Sequence, residues 1–528
     1  MSLSTPTREV LNQSPPLVDY NAFEADAALS EGLEREGGAW GADRAREIGR
    51  MAGSAETHEH AQRAERNEPR LITHDRFGNR VDQIDLDPSW HWLLRRAIEN
   101  EMSALPWREP GPGATVVRSA MFMMWSGASS GVMCPVSMTY AAVPALRANP
   151  ELAAEWEPRL IAADYDNGAL CGMAMTEKQG GSDVRANITT AEPVGDGEYE
   201  INGHKWFCSY PPCDIFLTLA QTEAGLGCFL VEPGPGFEVQ RLKDKLGTRS
   251  LPSSEVEFHS LRGQLIGEEG RGIQTILEMV NHTRLDCILG SASGMRQAVA
   301  QAVNHCRHRR SFGATLVEHP AMLNVLADLA LESEAATTTA MRVARAYDEP
   351  GEAGFRRFAT AVSKYWVCKR GPGVAVEALE CFGGNGFVEE SPMPQIYRDI
   401  ELNSIWEGSG NVAALDVLRA MAKEPEGLAA FVGECRLAEG ANAHLDHHMA
   451  DLEQRVLGLT GEDPQWHARR VVEDLGMALQ ASLLVRHAPA AVSDAFCISR
   501  LGGQSGRAYG TLPAGIDAQA IVDRALLV

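Results

Sequence analysis

Positive charge is what this chain has least of. Its 48 lysines and arginines face 71 aspartates and glutamates, a formal net charge of -23 over 528 residues. A field of that sign repels phosphate, so a polyanion is disfavoured as a general partner. The C-terminal part shares the deficit: from Phe431 onward there are eight arginines, twelve acidic residues and no lysine. No uninterrupted apolar run reaches the roughly 20 residues of a membrane span. The start, Met1-Ser-Leu-Ser-Thr-Pro6, lacks the charged and apolar regions of a secretory leader. The 11 cysteines form no C-x-x-C pair, which reads as reduced thiols. A cytoplasmic location with no membrane partner is the expectation.

What is present fits a soluble globular chain: 44% hydrophobic and 23% charged residues. The length suggests about three or four domains. Residues 1–168 read as mainly helical, with Pro88 at a helix start before Trp90 to Ala97. The stretch Val116 to Trp125 carries Met121, Met123 and Met124, read as core filling in preference to a ligand cavity. Residues 169–271 alternate like strands and are expected to turn at Asn202-Gly203; Asp214 to Ala220, Gly227 to Val231 and Ser254 to Phe258 continue the pattern. That block reads as a small barrel or paired sheets. Residues 272–423 return to long helices, expected to break at Pro320, Pro372 and Pro392. In the tail, 424–528, Leu445, Met449, Leu452, Val456 and Leu459 recur at helical spacing, and Val471 to Val485 looks like a second helix. Periodicity leaves open whether the stripe packs within the chain or against another subunit. The expected class is α+β: a helical domain, a β-barrel domain, a helical bundle and an extra helical tail.

Chemistry concentrates in Ala174-Met-Thr-Glu-Lys-Gln-Gly-Gly-Ser-Asp-Val-Arg-Ala186. It places Thr176, the Gly180-Gly181 pair and Ser182 within a few residues. Glycines let backbone approach a planar ligand, and hydroxyls can bond its ring nitrogens or carbonyls. Alone, Gly-Gly-Ser is a weak signal. Two further segments strengthen it: Glu380-Cys-Phe-Gly-Gly-Asn-Gly-Phe387 and Ser404-Ile-Trp-Glu-Gly-Ser-Gly-Asn411. Their order and spacing resemble the acyl-CoA dehydrogenase family over roughly Leu160 to Arg419. Adding Asn12-Gln-Ser-Pro-Pro-Leu-Val-Asp-Tyr-Asn21, Arg35-Glu-Gly-Gly38 and Arg241-Leu-Lys-Asp-Lys-Leu-Gly247, nearly the whole chain resembles the alkylation-response branch of that family. The resemblance implies FAD, an acyl-CoA substrate and an electron acceptor such as electron-transfer flavoprotein. It also implies a homotetramer and DNA binding through the C-terminal region.

Dehydrogenating a thioester at its α and β carbons needs a base for the α proton, a hydride acceptor, and donors for the charge on the thioester oxygen. No side chain accepts a hydride reversibly, so a flavin must supply that function. Glu407, between Trp406 and Gly408, is the candidate base on a short or branched acyl-CoA. By resemblance, Met173, Met175, Thr176, Gly181 and Ser182 line the flavin, with Trp206 and Ser209 from a second strand. Ile405 and Trp406 beside the base, and Ser409 and Asn411 after it, are further cofactor contacts. Arg309, Ser311 and Phe312 resemble pyrophosphate and adenine contacts delivered by a neighbouring subunit, where a guanidinium suits bidentate binding. Glu380, Gly383 and Gly384 match the loop that approaches the dinucleotide. Arg284, with Ser182, matches positions bordering the substrate. Some relatives carry the base immediately before that arginine; here it is Thr283, which cannot serve.

Three positions depart from the family pattern: Glu380 stands for glutamine, Gln395 for a basic residue, and Ser409-Gly410-Asn411 for the commoner threonine-serine continuation. DNA binding needs a concentrated basic face, and only Arg455, Arg469, Arg470 and Arg486 could gather into one. Two histidine groups, His444 with His447 and His448, and His305 with His308, have spacing compatible with zinc but no completing ligand, so no metal is expected.

Overall fold

The structure is a computed structural model that describes residues 9–458 and 463–528. Leu459 of the expected stripe and the Met1–Pro6 start lie outside the described residues. The N-terminal block is built of helices, among them Ala55–Arg66, Pro88–Glu99, Ala114–Ala128 and Met133–Leu146. Pro88 opens its helix as expected, with Asp87 capping it by accepting from the Ser89 N–H at 2.7 Å. The methionine stretch is core: Met121, Met123 and Met124 are all buried in the Ala114–Ala128 helix. This block is not helical throughout, because Arg70–His74 (β1) and Arg80–Asp85 (β2) form an antiparallel hairpin. Both strands are polar and mostly exposed, so hydrophobic periodicity gave no sign of them.

The β domain runs through Cys171–Ala174 (β3), Thr190–Gly195 (β4), Glu198–Cys208 (β5), Ile215–Thr222 (β6), Gly225–Val231 (β7), Phe237–Leu242 (β8) and Ser254–Ile266 (β9). Strands β4, β5, β9, β7 and β6 pair in turn, and a single β6–β4 bridge closes the ring; β3 and β8 flank it. The barrel expectation holds, but its hairpin does not turn at Asn202-Gly203. That dipeptide lies inside β5 at a register shift, and the chain reverses at Gly195-Asp196-Gly197, all three with positive φ. Gly203 is required for another reason: a Cβ there would sit 2.7 Å from the Thr189 Cα.

The helical bundle is organised on Gly272–His308, a 37-residue helix. Pro320–Asp348, Ala353–Glu380, Met393–Ile400 and Gly410–Lys423 complete this region. Pro320 and Pro392 stand at helix starts as expected. Pro372 does not break its helix: it sits inside Ala353–Glu380 between Gly371 and Gly373, and packing against the long helix outweighs the lost backbone bond. The long helix is locked to the N-terminal block by Arg118, fully buried, whose Nη2 donates to Asp286 at 2.8 Å while its Nε donates to the Met102 carbonyl at 2.9 Å.

The tail folds onto this bundle. Leu445, Met449 and Leu452 of the Ala443–Gly458 helix are buried, and the helix packs on Pro464–His487. The stripe is therefore used within the chain.

Candidate active site

The centre is a short loop between Glu401–Ser404, a 3-10 turn, and the Gly410–Lys423 helix. Glu407 sits in it with φ 57°, a left-handed conformation that costs an L residue energy and marks a backbone held by its surroundings. Two cations hold it. Arg284 Nε donates to the Glu407 carbonyl at 3.1 Å and its Nη1 to Asp416 at 2.8 Å; Lys364 Nζ donates to the Gly408 carbonyl. Arg357 also donates to Asp416, at 2.8 Å. Gly408, at φ 102°, completes the reversal.

The Glu407 side chain turns inward. Its Oε2 is out of solvent contact and has no hydrogen-bond partner. Burial raises its pKa above the ordinary carboxylate value; the Thr283 hydroxyl, then Arg284 and Lys364, pull it part of the way back. An orphaned carboxylate oxygen in a closed site is costly unless a ligand uses it.

The first segment expected to meet the flavin is tied to β5 by the Trp206 N–H, which donates to the Thr176 carbonyl at 2.7 Å. Ser209, just after β5, lies by the Cys134 thiol, which is within electrostatic reach of the Glu407 carboxylate. Ser209 and Glu407 thus approach the start of the Met133–Leu146 helix from β5 and the bundle, and Trp206 ties Thr176 to the same strand. Met173 and Met175 are half-buried; Gly181 and Ser182 are exposed on the connecting loop. Gly181 is required locally, since a Cβ would stand 2.6 Å from Thr176 Oγ1.

Two residues missed by sequence reasoning fix this loop. Glu177 and Lys205 form an ion pair at 2.9 Å with both side chains fully buried. Glu177 also accepts from the N–H groups of Ile188 (2.7 Å) and Thr189 (3.2 Å) and from Gln179 (2.7 Å). Burial alone would raise its carboxyl, but the Lys205 charge and these donors outweigh burial and hold it at about 2. A lysine inside a strand gives no sequence hint of such a pairing. Phe207 was also missed. Trp206 lies half-buried beneath the Lys243 ammonium, 3.3 Å from its ring centroid, whereas Phe207, 4.7 Å from the same ammonium, is 47% exposed. A register shift between Lys205 and Cys208 decides which aromatic is presented, and only pairing reveals it.

Ile405 is 61% exposed; Trp406 is half-buried with its Nε1 donating to Asn403 Oδ1 at 3.1 Å. Ser409 is exposed at the N-cap of the next helix. Asn411 reaches the tail: its Oδ1 accepts from Arg469 Nε at 2.8 Å.

A second group of expected contacts lies elsewhere. Arg310–Ser311 (β10) and Ala314–Thr315 (β11) form a small hairpin at the end of the long helix, with Phe312 98% exposed at φ 50°. Arg309 donates to the Asn12 carbonyl, and His319 to the Ser311 carbonyl at 2.9 Å. Glu380, Gly383 and Gly384 join this end, where the His305 ring stacks on Phe382 at 4.2 Å. Gly383 and Gly384 have nothing within 4 Å of a Cβ position, so a ligand can lie against bare backbone there. At a rise of 1.5 Å per residue, Arg309 stands about 37 Å along the helix from Arg284. One chain therefore cannot bring both groups to one ligand.

The tail arginines do not form a free basic face. Arg455 and Arg470 both pair with Asp474 at 3.2 Å, and Arg486 pairs with Glu434 at 2.6 Å. Of the histidines, His448 donates to the Asp474 carbonyl at 2.8 Å, His447 lies 3.7 Å from Asp451, and His305 meets Ser14 at 2.7 Å.

Comparison with known proteins places this geometry. The acyl-CoA dehydrogenase middle domain matches residues 172–261, the acyl-CoA dehydrogenase C-terminal domain residues 270–422, and the adaptive response protein AidB N-terminal domain residues 12–167. The chain is 38% identical over 532 residues to AidB of Escherichia coli (strain K12), covering 95% of each. It belongs to the acyl-CoA dehydrogenase family. Within it the chain resembles acyl-CoA dehydrogenase family member 11 of Caenorhabditis elegans, at 32% identity over 72% of this chain and 66% of that one. Two solved structures superpose closely: Bd2924 in its apo form, with TM-score 0.84, 28% identity and coverage of 90% and 99%, and the C. elegans ACDH-11 complex with C11-CoA, with TM-score 0.85, 26% identity and coverage of 92% and 91%. The family is one of FAD-dependent flavoproteins and oxidoreductases, and this chain has its fold and its three domains. No helix among the described residues is long and apolar enough to cross a membrane.

Proposed function

We propose that the chain dehydrogenates an acyl-CoA thioester with Glu407 as the base that takes the α proton. One observation carries this reading: the buried, unpartnered Oε2 of Glu407 on a loop pinned by Arg284 and Lys364. Burial makes this carboxylate more basic than one in water, which brings proton transfer from a weak carbon acid within reach. Arg284 orients Glu407 through the backbone, its Nε on the Glu407 carbonyl and its Nη1 on Asp416. The fit to FAD is supported by the open backbone at Gly383 and Gly384, the crowded Thr176–Gly181 turn and the exposed Phe207 ring. Thr176, Gly181, Ser182, Trp206 and Ser209 would hold its ring end, with Phe207 beside them. When bound, FAD supplies the acceptor for the β hydride. C11-CoA on a relative supports a CoA thioester as substrate, and electron-transfer flavoprotein is the proposed onward acceptor.

The second group of contacts supports a homotetramer. Arg309, Ser311, Phe312, Glu380, Gly383 and Gly384 would meet the far end of a neighbouring subunit's FAD, and the exposed Phe312 and Phe387 (84%) would be covered there. The cysteines, all buried and free, support a cytoplasmic location. For duplex DNA the paired tail arginines support only weak, salt-labile binding through phosphate contacts.

The test is Glu407→Gln. It keeps the shape and cannot accept the proton, so FAD is retained while anaerobic bleaching by acyl-CoA falls at least a hundredfold. Bleaching at the wild-type rate would remove Glu407 from the role.

A further inference from the structure

Residues 10–17 cross the end of the long helix as a strap, anchored by Leu17, which is buried in the core. Pro15-Pro16 stiffens it by fixing φ at both positions. The next residues touch, in turn, the helix, the 383–387 turn and the β10–β11 hairpin. The Pro15 carbonyl accepts from Asn304 at 3.0 Å, and the Ser14 hydroxyl meets His305 Nδ1 at 2.7 Å. Gln13 Oε1 is 3.5 Å from the Asn385 amide of the Gly383–Phe387 turn. Asn12 meets the hairpin. The strap therefore bridges the element that carries Arg309, Ser311 and Phe312 and the one that carries Gly383 and Gly384.

Strand β10 is two residues long, and both backbone groups of its first residue, Arg310, are taken by the Asn12 carboxamide. Asn12 Oδ1 accepts from the Arg310 N–H at 2.7 Å, and its Nδ2 donates to the Arg310 carbonyl at 2.8 Å. A side-chain amide carries the donor and acceptor of a peptide group, so Asn12 stands in for a third strand on the hairpin's outer edge. Aspartate lacks the donor and leucine lacks both. The Asn12 backbone carbonyl accepts from Arg309 Nη1, which sets where that guanidinium points. The Asn12 φ of 55° is left-handed, a conformation that asparagine tolerates better than most residues. Among the described residues Arg309 pairs with no carboxylate, unlike the tail arginines held by Asp474 and Glu434. Its charge is left for a ligand's phosphate.

Resting on the reading of this surface as the seat of a neighbouring subunit's FAD, we infer that Asn12 is a positioning residue for the pyrophosphate–adenosine end of that cofactor. It acts at second hand, by aiming Arg309 and by holding the outer edge of the hairpin that carries Ser311 and Phe312. The strap thus adds a selectivity to the site. It matters for a dinucleotide, whose far end reaches this surface, and not for a flavin that carries no phosphate at all.

The experiment strips the flavin from the full chain and measures the Kd for FAD and for riboflavin, together with the urea midpoint of the stripped protein. Riboflavin has the ring and ribityl chain of FAD without its phosphates. Asn12→Gly removes the carboxamide and leaves a residue that adopts a φ of 55° freely, so backbone strain does not enter. FAD should bind about tenfold more weakly, while riboflavin affinity and the urea midpoint stay at wild-type values. In an Arg309→Ala background, already weakened for FAD, the same change should add only about a twofold loss, because the group it positions is gone. An FAD Kd unchanged by Asn12→Gly overturns the inference. So does a fall in riboflavin affinity or in the urea midpoint that matches the fall for FAD, since Asn12 would then merely hold the fold. A full additive loss in the double variant overturns it as well. Arg309→Ala separates the two readings. If it leaves FAD binding unchanged, this surface does not face a cofactor, and the inference falls with that reading; FAD weakened by Arg309→Ala but not by Asn12→Gly removes the inference alone.

Discussion

Removing the Lys205 ammonium tests how the flavin loop is held. Lys205→Met keeps the length and volume of the side chain but deletes two bonds: 2.9 Å to Glu177 and 2.7 Å to the Leu219 carbonyl. The carboxylate it leaves is fully buried. Breaking a buried pair from one side costs about 3–5 kcal/mol, because an uncompensated charge remains. Here Ile188 N–H, Thr189 N–H and Gln179 still serve Glu177, so the lower end, about 3 kcal/mol, is expected. The sign with pH follows from the depressed carboxyl: the pair's contribution is present above the unfolded value near 4.5 and is lost as pH falls towards about 2. Because Thr176, Gly180 and Gly181 hang on the same loop, FAD retention should fall together with stability. The assay is urea unfolding of the FAD-stripped protein at pH 7, with FAD content after gel filtration as the second readout. Glu177→Gln combined with Lys205→Met removes the stranded charge and should recover about half of the loss. If the double variant is no more stable than Lys205→Met, a buried charge is not what the lysine neutralises, and the argument fails.

Arg309→Ala should lower FAD content and shift the assembly to smaller species together, read by absorbance and light scattering; loss of one without the other would separate the hairpin from the cofactor. Arg469→Ala deletes the bond to Asn411 at the start of the helix after Glu407, so flavin bleaching should slow a few-fold, while retention of labelled duplex across a salt series changes little. Asp399→Asn mimics the neutral acid: burial and the Glu65 charge push the wild-type carboxyl up to about 7, so wild type loses stability as pH rises from the unfolded value near 3.8 to about 7 and levels off above it. The variant's Tm should therefore gain on wild type between about pH 4 and pH 7, and a constant difference over that range would contradict the assignment.

The sequence by itself determined the order of helices, barrel and helices, because apolar residues at periods of 3.6 and 2 must each bury one face. It also singled out the candidate base. Glu407 is flanked by Trp406 and Gly408 in a segment whose neighbours could be read in register, and Thr283 could be ruled out by its chemistry alone. Local signals with several structural solutions were misread. Asn202-Gly203 suits both a turn and a bulge, and which one forms depends on Thr189 lying against Gly203. The hairpin of β1 and β2 was invisible because neither of its faces is buried as a core. Tertiary structure alone decided that Phe207 is exposed while Trp206 is half-buried under Lys243, since strand registers are set by partners distant in sequence. It alone paired Glu177 with Lys205, cancelled Arg455 and Arg470 against Asp474, and turned Arg469 towards Asn411. Charge and hydrogen-bond partners are chosen by proximity in space, and a one-dimensional pattern records which groups need partners but not which groups will meet.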